Sequence, residues 1–340
     1  MGHNIDLSKY QIRTDLAIET IKGENIKGIK KTEFTKDNVK ITKIVVNKEG
    51  SKIINKKIGN YITIEFDDIT DYDNQKKVEK VFSNEMKKLL KKINISKDDS
   101  CLIIGLGNIK STPDSLGPLT INNILVTNHL FMLGNVEEGF RKVSVLTPGV
   151  MGQTGLETSE IISSIVEKFK PKFLIAIDSL ASQSIERLNK TIQITDTGIH
   201  PGSGVGNSRK EISKDNLKIP CIAIGVPTVV DAITIVSDTI RYMQKHYAYS
   251  KININNPANK LMINLPNYLK KDINITSKDK EQLLGIVGTL NDYEIKQLLF
   301  EVLTPIGFNM MVTPKEVDFL IEKLGLIISN GINSSLHEKI

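Results

Sequence analysis

The chain has 340 residues, 40% hydrophobic and 25% charged, which fits a globular protein with a sizeable core and excludes a disordered one. Its two cysteines, Cys101 and Cys221, each head an apolar run, which excludes a disulfide framework or a CxxC metal site and reads as reduced core thiols. The net charge of +6, from 45 Lys+Arg against 39 Asp+Glu, is spread along the chain, and the absence of Trp leaves little for base stacking.

The first residues, MGHNIDLSKYQIRTD, lack the apolar stretch of a signal peptide, and no later run approaches bilayer length. The expected location is therefore cytoplasmic, without membrane contact. Residues 1 to about 20 are polar with no clear period and read as an arm outside the main core. From Lys40 to Phe66, the segments ITKIVVN, SKIINKK and NYITIEF alternate in the strand manner, implying a small antiparallel meander with a turn at Lys48-Glu49-Gly50. Asp73 to Ile93 has helical spacing at Val78, Val81, Phe82, Met86, Leu89, Leu90 and Ile93, with Asp73 as a candidate cap. Within it, the dense basic block KKLLKKI reads as the solvated face of that helix rather than a nucleic-acid contact.

Strands and helices then alternate, which predicts a parallel sheet flanked by helices. Strands are expected at Cys101 to Gly105, Val143 to Leu146, Phe173 to Ile177, Thr191 to Ile194 and Cys221 to Gly225. Helices are expected at Leu119 to Leu133, Glu157 to Phe169 and Asp231 to His246. A polar connection, Ile252 to Asn267, leads to helical segments at Lys278 to Ile286, Asp292 to Leu303 and Pro314 to Ile328, packed beside the sheet. The division is thus an arm at 1–15, a β-rich extension with a helix at 16–98, an α/β core at 99–250 and a helical region at 251–340.

The stretch CLIIGLGNIKSTPDSLGP, Cys101 to Pro118, joins a buried strand to a ligand-type loop and delivers Asp114. A dinucleotide fingerprint needs a third glycine where Lys110 stands, and no P-loop Gly-Lys-Ser/Thr occurs. Asp178 closes the apolar run from Phe173 to Ile177. Alone, Asp114 reads first as a helix cap, and Asp178 could likewise cap the turn beginning Ser179-Leu180. In an open parallel sheet, however, loops leaving neighbouring strand ends share one edge, so the two acids are expected to meet. Paired carboxylates divide the work, one remaining protonated while the other deprotonates water.

The five histidines form no HExxH. His200 alone is well placed, in DTGIHPGSGVG at 196–206, whose glycines, Gly202 and Gly204 among them, permit close backbone approach. Asp114, Asp178 and His200 around a divalent ion are therefore an alternative arrangement, against the plainer reading of His200 as a local hydrogen-bonding residue. The G-x-S-x-G pattern fails around Ser203, because Pro201 and Val205 stand where its glycines should be. Gly152 and Gly155, in TPGVMGQTG, precede a helix start suited to a substrate carboxylate. Asp231 reads first as a helix cap and second as a supporting acid. Arg209 is a candidate for reading an acidic side chain, with a solvated base as the default.

These stretches resemble the germination protease family of endospore-forming bacteria. The resemblance rests on DLSKYQIRTDLAIE at 6–19, GLGNIKSTPDSLGP at 105–118, TPGVMGQTGLETSEI at 147–161 and AIDSLASQS at 176–184. It continues through TDTGIHPGSGVGNSRKEIS at 195–213, GVPTVVDA at 225–232 and MMVTPKEVD at 310–318. It implies an endopeptidase of small acid-soluble spore proteins, grouped with atypical aspartic peptidases. Asp114 and Asp178 fall in the motifs of the two essential aspartates, and the fold is expected to look like that of hydrogenase-maturation peptidases. A homotetramer made as an inactive precursor is also implied, with a divalent metal as an open option and no direct nucleic-acid partner. Family substrates are cut after an acid and before a large apolar residue followed by Ala, with an acid at the fourth primed position. Asp15-Leu16-Ala17-Ile18-Glu19 reproduces that order, so self-processing is expected between Asp15 and Leu16. The rival of another class is a non-catalytic module that binds proteins through the same cleft.

Overall fold

The computed structural model describes residues 14–21, 26–134, 136–201, 210–253, 255, 275–303 and 310–340. The chain divides into two units, one of residues 13–230 with 313–340 and the other centred on residues 231–312.

The first unit is built on β1 (Ile29–Lys36), β2 (Val39–Val46), β3 (Gly59–Glu65), β4 (Cys101–Gly105), β5 (Val143–Leu146), β6 (Phe173–Ser182), β7 (Thr191–Thr195) and β8 (Cys221–Asp231). Their order across the sheet is β1-β2-β3-β7-β8-β6-β4-β5. The run β5-β4-β6-β8 is parallel, and β8-β7-β3-β2-β1 is antiparallel. β4 is buried along its whole length, as expected of a strand covered on both faces. β2 is buried on both faces, Val39 and Ile41 joining one apolar cluster and Ile44 and Val46, of opposite parity, another. β1 is an exposed edge carrying Lys30, Lys31 and Lys36, side chains that discourage pairing with another chain. Asp37 and Asn38, both at positive φ (53° and 64°), supply the hairpin turn between β1 and β2.

Helices cover both faces. On one, Tyr72–Lys92, Leu116–Ile121 and Val317–Leu336 close over β4 and β6 through Phe82, Met86, Leu116, Ile321 and Ile328. On the other, Thr158–Phe169 sets Ile162 and Val166 against Leu102, Ile104 and Leu174. The α/β sandwich with an antiparallel amino-terminal extension and a helical carboxyl-terminal region is thus the expected fold class. In the Tyr72–Lys92 helix, Leu89 and Leu90 are buried while Lys87, Lys88, Lys91 and Lys92 are exposed, as the amphipathic reading requires. The cap is Asp71 rather than Asp73, its carboxylate accepting from Asn74 N–H at 3.0 Å.

Four local readings are corrected. Lys48–Ile54 is a helix, not a strand, because Asn47 Oδ1 accepts from the N–H groups of Glu49 and Gly50 at 2.9 and 3.0 Å and caps it. β7 pairs antiparallel with both neighbours. The helix expected at Leu119 to Leu133 is two short helices, Leu116–Ile121 and Asn128–Met132. Finally, the amino-terminal arm does not stay outside the core, since Leu16, Ala17 and Ile18 are buried.

The second unit contains the helices Ala232–Asn253, Ser277–Leu284 and Asp292–Leu303. Asp231 Oδ1 accepts from Ile233 N–H at 2.8 Å, the capping contact the sequence suggested, and burial raises its pKa. Thr276 caps the Ser277–Leu284 helix by accepting from Asp279 N–H at 3.2 Å. Most of the polar connection at 252–267 lies outside the described residues. Among the described residues, no helix is long and apolar enough to cross a membrane.

Candidate active site

The parallel strands end unevenly. β4 stops at Gly105, opposite Ile177, whereas β6 continues to Ser182. Asp178 therefore stands inside β6, not at its end, but at the level where β4 gives way to a loop. It is 5% exposed and lies across from Gly225 of β8. Its Oδ1 accepts from Ser179 N–H at 2.9 Å.

The loop after β4 is fastened beside it. Leu106 N–H donates to Ile177 O at 2.8 Å, immediately before Asp178. The chain then doubles back, with Asn108 N–H donating to Asp114 O at 2.9 Å and Asp114 N–H to Ser111 O at 2.8 Å. Gly107 makes that approach feasible: its φ is +105°, and a Cβ there would sit 2.1 Å from Asp114 O and 3.0 Å from Asp114 Oδ1. Thr228 Oγ1 donates to Pro113 O at 2.6 Å, and Thr313 Oγ1 donates to Thr228 O at 2.8 Å, pinning the turn from the β8 side. Asp114 itself is half-buried, in the short turn Thr112–Asp114 that packs on β6. The residue at the cap position of the following helix is Ser115, so the helix-cap reading of Asp114 is set aside.

Gln153 Nε2 donates to Asn108 Oδ1 at 2.6 Å and ties the Met151–Thr154 turn to the Asp114 loop. In that turn Gly152 and Gly155 are exposed, with nothing within 4 Å of where a Cβ would lie, so a ligand backbone can approach both. His200 is exposed, its Nε2 3.5 Å from Glu211 Oε1. Among the described residues no three of His, Cys, Asp and Glu converge to hold a metal ion, so Asp114, Asp178 and His200 do not form a ready ligand set. Gly202, Gly204 and Arg209 lie outside the described residues.

Asp15 and Leu16 are held by residues the sequence did not single out. Gln193 Nε2 and Lys56 Nζ donate to Asp15 O at 3.1 and 3.2 Å, and Gln193 Oε1 accepts from Ala17 N–H at 2.8 Å. The available signal was a glutamine amid the buried apolar run of β7, TIQIT.

The turn that bears Asp114 thus packs against β6, the strand that bears Asp178. The germination protease family model matches residues 9–340. The germination protease of Bacillus subtilis (strain 168) is 49% identical over 99% of this chain and 96% of its own. That of Bacillus cereus (strain AH187) is 48% identical over 100% and 97%. The chain belongs to the germination protease family. A solved NiFe hydrogenase maturation protease, HycI from Thermococcus kodakarensis KOD1, aligns with 42% of this chain and 80% of its own at 16% identity and TM-score 0.28.

Proposed function

We propose that this peptidase begins the degradation of small acid-soluble spore proteins at germination, cutting after an acidic residue and before a large apolar residue followed by Ala. It acts in the spore's cytoplasmic compartment as a homotetramer, and it is made as a precursor that cleaves its own Asp15–Leu16 bond to release residues 1–15. Asp114 and Asp178 share the chemistry. One carboxylate takes a proton from water as the water attacks the peptide carbonyl, while the other, protonated, donates its proton to the carbonyl oxygen; as the gem-diol collapses, the first passes the proton it took to the departing amine and the second recovers a proton from the gem-diol hydroxyl, leaving an acid and an amine.

The observation that carries this reading is the hydrogen bond from Leu106 N–H to Ile177 O at 2.8 Å, which fixes the Asp114 loop against the strand bearing Asp178. Family membership supports the peptidase class, and the order Asp15-Leu16-Ala17-Ile18-Glu19 supports the specificity and the processing position. Asp114→Asn and Asp178→Asn should each lower cleavage of an acid–apolar–Ala peptide by about 10²–10⁴-fold, with an unchanged circular-dichroism spectrum. Retained turnover in either variant overturns the paired-acid assignment. Intact mass of the matured chain checks the processing position, a chain beginning at Leu16 being the expected product.

A further inference from the structure

The sheet ends in two strands of opposite character. β1 closes one edge with Lys30, Lys31 and Lys36, charges that resist strand pairing. β5 closes the other with none, since the whole stretch VSVLTPGVMGQTGL, Val143 to Leu156, contains no charged residue.

The register shows which main-chain groups of β5 stay open. Cys101 lies opposite Val143, and its N–H donates to Lys142 O at 2.8 Å. In this parallel ladder Ser144 and Leu146 therefore turn their N–H and C=O toward β4, while Val143 and Val145 turn theirs outward. Val143 is capped there: Thr127 N–H donates to Val143 O at 3.1 Å, and Thr127 Oγ1 accepts from Val143 N–H at 2.9 Å. Among the described residues no such partner reaches Val145, which is half-buried, or Thr147, next in the alternation, which is exposed.

This open edge leads to the candidate site. Beyond Thr147 the chain forms the Met151–Thr154 turn, whose Gln153 donates to Asn108 Oδ1, and Asn108 N–H donates to Asp114 O. Apolar side chains stand exposed at both ends of the edge: Leu130 and Met132 in the helix that follows Thr127, and Ile109, Met151 and Leu156 around the turn. An extended polypeptide needs a free strand edge for its main chain and apolar surface for alternate side chains.

We propose that the outer edge of β5 takes up a substrate polypeptide by strand addition, its main chain pairing with Val145 and its apolar side chains resting on the exposed residues at either end. The added strand lies three strand spacings, about 14 Å, from β6, a gap that roughly five extended residues cross to reach the candidate acids. That the occupant is a substrate rests on the peptidase reading. Recognition at this edge is of main chain and apolar surface, separate from the residues at the cut bond, and Val145 is a positioning residue.

Binding is measured by fluorescence anisotropy on the full chain carrying Asp178→Asn. The peptide has about 20 residues centred on the acid–apolar–Ala sequence, so each flank can span roughly 30 Å. Val145→Pro deletes the outward N–H and leaves the bonds of Ser144 and Leu146 to β4 in place, so it should weaken binding by roughly three- to tenfold. Val145→Ile, which keeps the N–H and a branched side chain, should stay within about twofold of the parent. Methylating the peptide's amide nitrogens one at a time reads the same contact with the edge unaltered. In one flank every second methylation should weaken binding by roughly three- to tenfold, while those between have little effect. These losses and that of Val145→Pro should be less than multiplicative, because they remove one contact. Should Val145→Pro not fold by thermal melt, the methylation series decides alone. Unchanged binding by a folded Val145→Pro chain overturns the proposal, as does a methylation series without the two-residue period. Loss of self-association in sedimentation by Val145→Pro, with peptide binding unchanged, would assign the edge to a second copy of the chain and overturn it equally. Hydrolysis is not read in this assay, so failure of the paired-acid mechanism, seen as turnover by Asp178→Asn, is a separate result.

Discussion

Gly107 and Asp114 compete for the same space. A Cβ at Gly107 would meet the Asp114 carbonyl at 2.1 Å, and φ there is +105°. Gly107→Ala should therefore destabilise the protein by about 1–3 kcal/mol, as an overpacked and strained substitution does. It should also reduce turnover beyond what the lost stability explains, because the displaced group is the backbone of a proposed catalytic acid. Urea melts and steady-state assays on the same samples check both parts. A second residue-level prediction concerns pH. His337 is buried, its Nδ1 accepts from Arg141 N–H at 3.1 Å, and burial followed by the Arg141 charge holds its pKa below the usual 6.5. The unfolded chain then binds the proton more readily than the folded one, so this contribution to stability is intact above the unfolded pKa. It is lost as pH falls from there toward the folded value, with a limiting slope of about 1.4 kcal/mol per pH unit. Melting temperatures across that range should fall less steeply for His337→Gln than for the parent.

At the scale of elements, β6 carries Asp178 and, through Ala181, holds Asp15, and only its first half was readable. Phe173 to Ile177 is a continuous apolar run, so a buried parallel strand followed from composition. The continuation through Ser179 and Ser182 has the polarity of a loop and is a strand because β8 pairs alongside, across a register shift between Leu180 and Ala181. Similarly, SKIINKK alternates like a strand, but the Asn47 cap decides for a helix. The polarity of β7 was readable as a strand yet not its direction, which is set by β3 and β8. The Asp114 turn depends on such neighbours, so Thr228→Val, which removes the hydroxyl donating to Pro113 O at 2.6 Å, should cost about 1 kcal/mol. It should also lower kcat with little change in KM if the turn positions Asp114. Denaturant titration and steady-state kinetics measure the two effects.

Over the whole molecule, what the sequence made legible were the contacts that recur locally, and what stayed hidden were those joining distant stretches. For Asp114 and Asp178 the sequence offers a topological rule, that strand ends of a parallel sheet share an edge. No such rule joins Asp15 to Ala181 and Gln193, or Lys56 to the carbonyl of Asp15, and the polar arm gave no sign that Leu16 would be fully buried. The core closes by a long-range contact of the same kind, between Tyr72–Lys92 and the returning Val317–Leu336 helix. Phe82 is fully buried there, and a Cβ on Gly331 would lie 2.3 Å from its Cδ1, so the ring rests on the bare backbone of the second helix. Phe82→Ala should destabilise by about 3–5 kcal/mol through the cavity it leaves. Gly331→Ala should destabilise by about 1–3 kcal/mol in the parent, by pressing a methyl group into the ring. Since the methyl enters the space the ring vacates, the double variant Phe82→Ala with Gly331→Ala should be more stable than the sum of the two losses implies, by about 0.5–3 kcal/mol. A double-mutant cycle from urea denaturation tests this, and simple additivity would show that the two helices do not meet through this pair.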